Sequence, residues 1–338
     1  MRKVGRNRLI VLLVILALVL SACAQTPPAA PPAQPAPPAD AGAAETPDPE
    51  PAPADGGLSI GFAMPDRDQW LTYLEQAAVA RAGELGIDIT VQDAVNDVNA
   101  QLSHVQTFAV QQKDAIVIGI IDGAFTEALI EAAGDIPVVF VNRLPDVNHL
   151  SQGSAHFVGS QEVDAGLFQA QFFASYFAGQ DTLDYVLFQG PLDHAGAIGR
   201  TAGFREGMEA AGFTLNNVFQ QVANWDRAVA MDFMQTFIGT GQNFDLVVAN
   251  NDEMAIGAIE ALYAAGMMDI PVVGVDASPS GVASILAGEM AASVFQDPVG
   301  QGAGAIDVAV ALAQGQSPEL YSWIPFVLVT PDNVQEFA

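Results

Sequence analysis

The amino-acid sequence predicts an α/β protein made of two similar, doubly wound parallel-sheet lobes. Apolar runs of five to seven residues alternate with helical patterns from residue 58 onward. The runs are continuously apolar rather than alternating in polarity, as befits strands covered by helices on both faces. Two of them, IPVVFVN (136–142) and IPVVGVD (270–276), are near copies that end in a polar side chain and lie 134 residues apart.

Taken in order, the chain begins with Arg2, Lys3, Arg6 and Arg8, then an apolar run from Leu9 to Leu20, then LSAC at 20–23. A basic segment, a short apolar core and small residues before a cut describe an export signal, too short for a comfortable membrane span. Cys23 is the one cysteine in the chain and so forms no internal disulfide. Leu-Ser-Ala-Cys here resembles the bacterial lipobox, which implies a lipid on Cys23, anchorage to the cell envelope and an exported protein. From 24 to 57 the sequence is Ala, Pro, Gly and acidic residues with no large apolar side chain to bury, so an extended tether is expected.

The folded part begins with LSIGFAM (58–64), followed by a helix near 69–85; ITVQD (89–93) precedes one near 98–112, and AIVIGI (115–120) one near 123–133. PVVFVN (137–142) closes that series. The rhythm returns with YVLFQG (185–190), an extended piece at 214–222, DLVVAN (245–250) and PVVGVD (271–276), each leading into a helical stretch. In VVANNDEMAIGA, Asp252 is expected to cap a helix starting near Glu253, with Asn250 given no role. About 280 residues suffice for two lobes of ordinary size.

Charge removes one class of partner. Without the four basic residues of the signal, 7 Lys and Arg face 39 Asp and Glu, a charge of −32. Nucleic acid needs clustered basic residues, so it is excluded as a partner. The surviving arginines, notably Arg143 and Arg200, draw attention.

In open α/β sheets ligands sit beyond the carboxyl ends of the strands. Those ends carry Asp68, Trp70, Asn142, Arg143, His194, Arg200, Trp225, Asn251, Asp276 and Gln296. Amides, carboxylates and guanidinium groups can each bridge neighbouring hydroxyls, and an indole offers a flat surface to the C–H face of a sugar ring. Read singly, the two tryptophans also fit packing, Asp276 a helix cap and Arg143 local charge balance.

PVVFVNRLPD, HFVGSQEVDAG, GPLDHAGAIGRTAGF, Trp225 with Asp226, VVANNDEMAIGAIEAL and IPVVGVDASP together resemble the type I periplasmic sugar-binding proteins, the galactose/glucose binders in particular. The resemblance implies that the ten residues above contact a monosaccharide of the galactose or glucose kind. It also implies a three-segment hinge near 160, 296 and 323. The lobes become 58–159 with 297–323 and 160–296 with 324–338. Two departures stand out. Gly196 occupies the place of an aspartate, and GQDTLDY (179–185) is too short for the galactose binder's calcium loop, so neither a structural metal nor a cofactor is expected.

The expected role is a monomeric, lipid-anchored receptor that closes on a sugar and hands it to an ABC permease. The alternative is a sugar sensor for chemotaxis or a membrane kinase. An enzyme is not expected. The first βα turn, AMPDRDQW (63–70), has no phosphate-cradling glycines, no G-x-S-x-G elbow occurs, and His104, His149, His156 and His194 lack metal-ligand spacing.

Overall fold

A computed structural model describes residues 57–338. The export signal, Cys23 and nearly all of the tether lie outside the described residues. The first half runs β1 (Ser59–Met64), α1 (Gln69–Leu85), β2 (Asp88–Asp93), α2 (Val98–Val110), β3 (Ala115–Ile118), a 3-10 turn (Gly123–Phe125), α3 (Thr126–Ala133), β4 (Val138–Val141) and β5 (Ala155–Gly159). The second half holds α4 (Glu162–Tyr176), β6 (Thr182–Gln189), α5 (Ala195–Ala210), β7 (Thr214–Val222), α6 (Arg227–Ile238) and β8 (Leu246–Ala249). It continues with α7 (Asp252–Ala264), β9 (Val272–Val273), α8 (Pro279–Leu286) and β10 (Ser293–Phe295). The chain ends with α9 (Pro298–Ala313), β11 (Tyr321–Trp323), β12 (Val327–Val329) and a final 3-10 turn (Val334–Phe337).

One sheet has the order β11-β5-β4-β3-β1-β2, with every pair parallel. The other runs β7-β6-β8-β9, also parallel, and isolated bridges Val273–Ala292 and Asp276–Phe295 extend it to β10, which pairs antiparallel with β12. The two lobes therefore repeat one order, differing in the direction of the last strand. β4 and β9, which carry the near-copied sequences, hold the same position in each.

Continuous apolar runs produce this because each face of each sheet is covered. Ile60, Phe62 and Met64 of β1 pack with α1 and α9, while Ile116, Ile118, Val138 and Phe140 point to the layer built with α2 and α3. In the second lobe Val186, Phe188 and Val247 meet α6 and α7, whereas Leu187, Leu246 and Val248 meet α4 and α5. Each fully buried side chain of this size contributes about 1.5 to 3 kcal/mol. The edge strands β2 and β7 have exposed or half-buried positions along their whole length.

Four expectations are corrected. Regular pairing of β9 stops at Val273 rather than Asp276, because Gln169 Nε2 donates to the Gly274 carbonyl at 3.0 Å and the next residues pair with β10 instead. β5, β11 and β12 have no counterpart among the expected strands, and β10 is implied only by Gln296 at a strand end; they have only three to five residues each. The helix expected at 123–133 opens as a 3-10 turn and is α-helical from Thr126. The fourth correction concerns the cap of α7. It is Asn251, whose side chain accepts from the Met254 amide at 3.0 Å, not Asp252.

Candidate functional site

All ten residues singled out in the sequence line one cavity of about 780 Å³ between the carboxyl ends of the two sheets. From the first lobe come the β1–α1 turn and the end of β4. Asp68 caps α1 by accepting from the Leu71 amide at 2.7 Å, which fixes the helix start and sets Trp70 in its first turn. The Trp70 indole donates to the Gln296 carbonyl at 3.2 Å, so a first-lobe aromatic is tied to the segment between β10 and α9. Asn142 follows β4 with φ 65°, and Arg143 lies 3.6 Å from Asp66.

The second lobe supplies the denser half. His194 caps α5, its Nδ1 accepting from the Gly196 amide at 3.0 Å. The ring proton of neutral His194 therefore sits on Nε2, leaving a donor for the cavity. Arg200, one turn and a half further along α5, is buried and donates to Glu162 at 2.8 Å, to the Asn250 carbonyl at 2.7 Å and to Gln296 Oε1 at 3.0 Å. Its guanidinium carbon lies 5.7 Å from the Trp225 ring centre, and the His194 ring meets the same indole edge to face at 5.1 Å. Asn142, Trp225 and Asp276 all have positive φ, at 65°, 66° and 114°. Backbone held there in non-glycine residues is strained and gathers at functional sites.

The three polar residues after β8 divide their work differently from expectation. Asn250 is fully buried and Oδ1 accepts from the Gly190 amide at 3.3 Å, holding the end of β6 to the end of β8. Asn251 caps α7, donates to the Trp225 carbonyl at 3.3 Å and lines the cavity. Asp252 is fully buried beneath the floor. It accepts from the Ser278 amide at 2.7 Å, the Ser278 hydroxyl at 2.9 Å and the Ser293 hydroxyl at 2.5 Å, and so clamps the loop that presents Asp276.

Burial governs the electrostatics. It lowers the His194 pKa to about 3, with Arg143 and Arg200 pushing the same way, so the ring is neutral at physiological pH. Burial also raises Asp276 well above the usual carboxylate range; Arg200 at 3.5 Å pulls it back, while Asp252, Asp68 and Glu162 add to the rise. Arg200 goes up even though burial opposes its charge, because Glu162, Asp276 and Asp252 outweigh it. One guanidinium shared between two carboxylates is thus firmly charged, yet does not hold Asp276 in its ordinary range. The cavity wall offers both acceptors and donors, and among the described residues that line it there is no activated nucleophile and no phosphate cradle.

Comparison with known proteins fits this geometry. Residues 60–317 match the model of the periplasmic binding protein domain. The chain belongs to the periplasmic binding protein family. It is 40% identical over 260 residues to a putative rhizopine-binding protein of Rhizobium meliloti, covering 75% of this chain and 82% of that one. It is 31% identical over 314 residues to the D-galactose/methyl-galactoside binding periplasmic protein of Haemophilus influenzae, covering 83% and 95%. Among solved structures, an ABC transporter solute binding protein from Bacillus halodurans with bound myo-inositol superposes with a TM-score of 0.78 at 34% identity, covering 84% of this chain and 99% of that one. These relatives are binding proteins, and this periplasmic binding protein is not an enzyme.

Among the cavity residues that escaped the sequence reading are two acidic ones at helix starts. Glu162 stands at the start of α4, and Glu253 in the first turn of α7 pairs with Arg227 at 2.8 Å. Both fall in helix first turns, where an acidic residue is explained by the helix dipole alone. HFVGSQEVDAG had flagged the neighbourhood of Glu162 without singling it out.

Proposed function

We propose that this periplasmic binding protein captures a neutral, cyclic, polyhydroxylated ligand, a monosaccharide of the hexose kind or a related cyclitol, and delivers it to an ABC permease. The observation that carries this is the convergence of Trp70 and Trp225, one from each lobe, on a cavity that also presents amide, carboxylate and guanidinium groups. Flat apolar surfaces suit the ring faces, and the bidentate groups suit vicinal hydroxyls at its rim. The printed ligands of the relatives, galactose or methyl-galactoside and myo-inositol, share that chemistry. The segments at 160, 296 and 323 serve as the hinge on which an open form takes up ligand and a closed form buries it. Lipid anchorage through Cys23 completes the role, and intact-mass analysis of the processed protein tests it by the added acyl mass.

A thermal-shift screen against about thirty monosaccharides, cyclitols and linear polyols tests the proposal. A ligand at 100 times its Kd adds about 2.7 kcal/mol, which for a fold of this size raises Tm by about 5 °C or more. Cyclic polyols are expected to do so. A panel without a single shift contradicts it.

A further inference from the structure

We infer that Glu162 is a ligand-contacting, specificity-determining residue, presenting its carboxylate to the cavity from the start of α4. Gly196 stands two residues after His194, whose side chain lines the cavity. A Cβ built on Gly196 lies 3.0 Å from His194 Nδ1 and 3.5 Å, an ordinary contact distance, from Glu162 Oε2, so that carboxylate stands beside the place where a side chain at 196 would go. Glu162 lines the cavity with its side chain 12% exposed, buried enough to be fixed and open enough to be reached.

Its position is set from two sides. Oε2 accepts from Arg200 Nε at 2.8 Å, and Oε1 lies 3.3 Å from Gln296 Nε2. A carboxylate has about four acceptor positions, so about two remain for a ligand. Close helix packing makes this arrangement possible, since a Cβ at Gly199 would meet Glu162 Cβ at 2.7 Å and push the start of α4 away. An acceptor-only group at this point requires a hydroxyl on the ligand beside the one served by the His194 donor.

The inference rests on the proposed function and is tested with myo-inositol and D-galactose and, for whichever the unsubstituted protein binds, its single-position deoxy analogues. Calorimetry is run on the unsubstituted protein, Glu162→Gln and Glu162→Asp, with melting curves to verify folding. A contact predicts that Glu162→Gln weakens the parent ligand about 10- to 150-fold, while one deoxy analogue binds both forms almost equally. Glu162→Asp keeps a negative partner for Arg200 but withdraws the oxygens, and is expected to show the same pattern. An equal loss across every analogue, or no loss, overturns the inference, because a carboxylate that merely held Arg200 would not single out one hydroxyl. If neither parent binds, the same measurement is made with the cyclic polyol that gives the largest shift in the screen; if none binds, the proposed function falls, and the role of Glu162 with it.

Discussion

Asp252 shows how a residue can serve a binding site without touching the ligand. Buried under Asp276 and holding Ser278 and Ser293, it has its pKa raised to about 7, first by burial, with its three hydrogen bonds opposing. Between the ordinary carboxylate value and about 7, the folded protein holds a proton that the unfolded chain has released, so this group's stability contribution falls as pH rises through that window. Asp252→Asn carries no charge at any pH. Its Tm relative to the unsubstituted protein is expected to increase from pH 5 to pH 8, a trend that melts at the two values would reveal or refute. The sequence reading placed the polar cluster correctly at a strand end but gave the helix cap to Asp252 instead of Asn251. An Asx residue one position either side of a helix start has the same composition signal, and only the backbone angle at Asn251, φ −148° and ψ 171°, decides which one caps.

At the scale of elements, α4 and α5 are brought together by small residues. A Cβ at Gly203 would run into the Val163 carbonyl, and one at Gly166 into the Arg200 carbonyl, so the helices pack backbone to backbone. That closeness brings the first turn of α4 within reach of Arg200. Gly203→Val is expected to destabilise the protein by about 1 to 3 kcal/mol, measured by urea unfolding, and to weaken ligand binding through the displaced Glu162. Unchanged stability would show that the helices can separate at no cost. The long strands and most helices were legible because buried parallel strands need unbroken apolar runs, as in AIVI of β3 and VVFV of β4. β10 to β12 were not, since three-residue strands have no period to read. Their partners lie far along the chain, as in Tyr321 beside Phe157.

Across the whole molecule, the chain leaves the first sheet after Gly159, returns between Phe295 and Pro298, and crosses again between Trp323 and Val327. Residues at these passages are bound to cavity residues. Gln301, fully buried, donates to Ser160 at 3.0 Å and lies 3.2 Å from the Asn142 amide, while Gln296 is held by Arg200 and its carbonyl by Trp70. Motion of one lobe against the other therefore acts directly on the groups that line the cavity, which is what a closing receptor requires. The ten strand-end residues were legible in the sequence because the strand-end rule places them on one rim. The network linking them was not, since it depends on contacts such as Trp70 to Gln296, 226 positions apart.

Titration calorimetry of the screened ligand into the unsubstituted protein, Trp70→Ala and Trp225→Ala tests the central claim most directly, because the two tryptophans stand on different lobes. One-to-one binding is expected, weakened at least tenfold, or about 1.4 kcal/mol, by each substitution. Equal affinity in all three proteins would contradict capture of the ligand between the lobes.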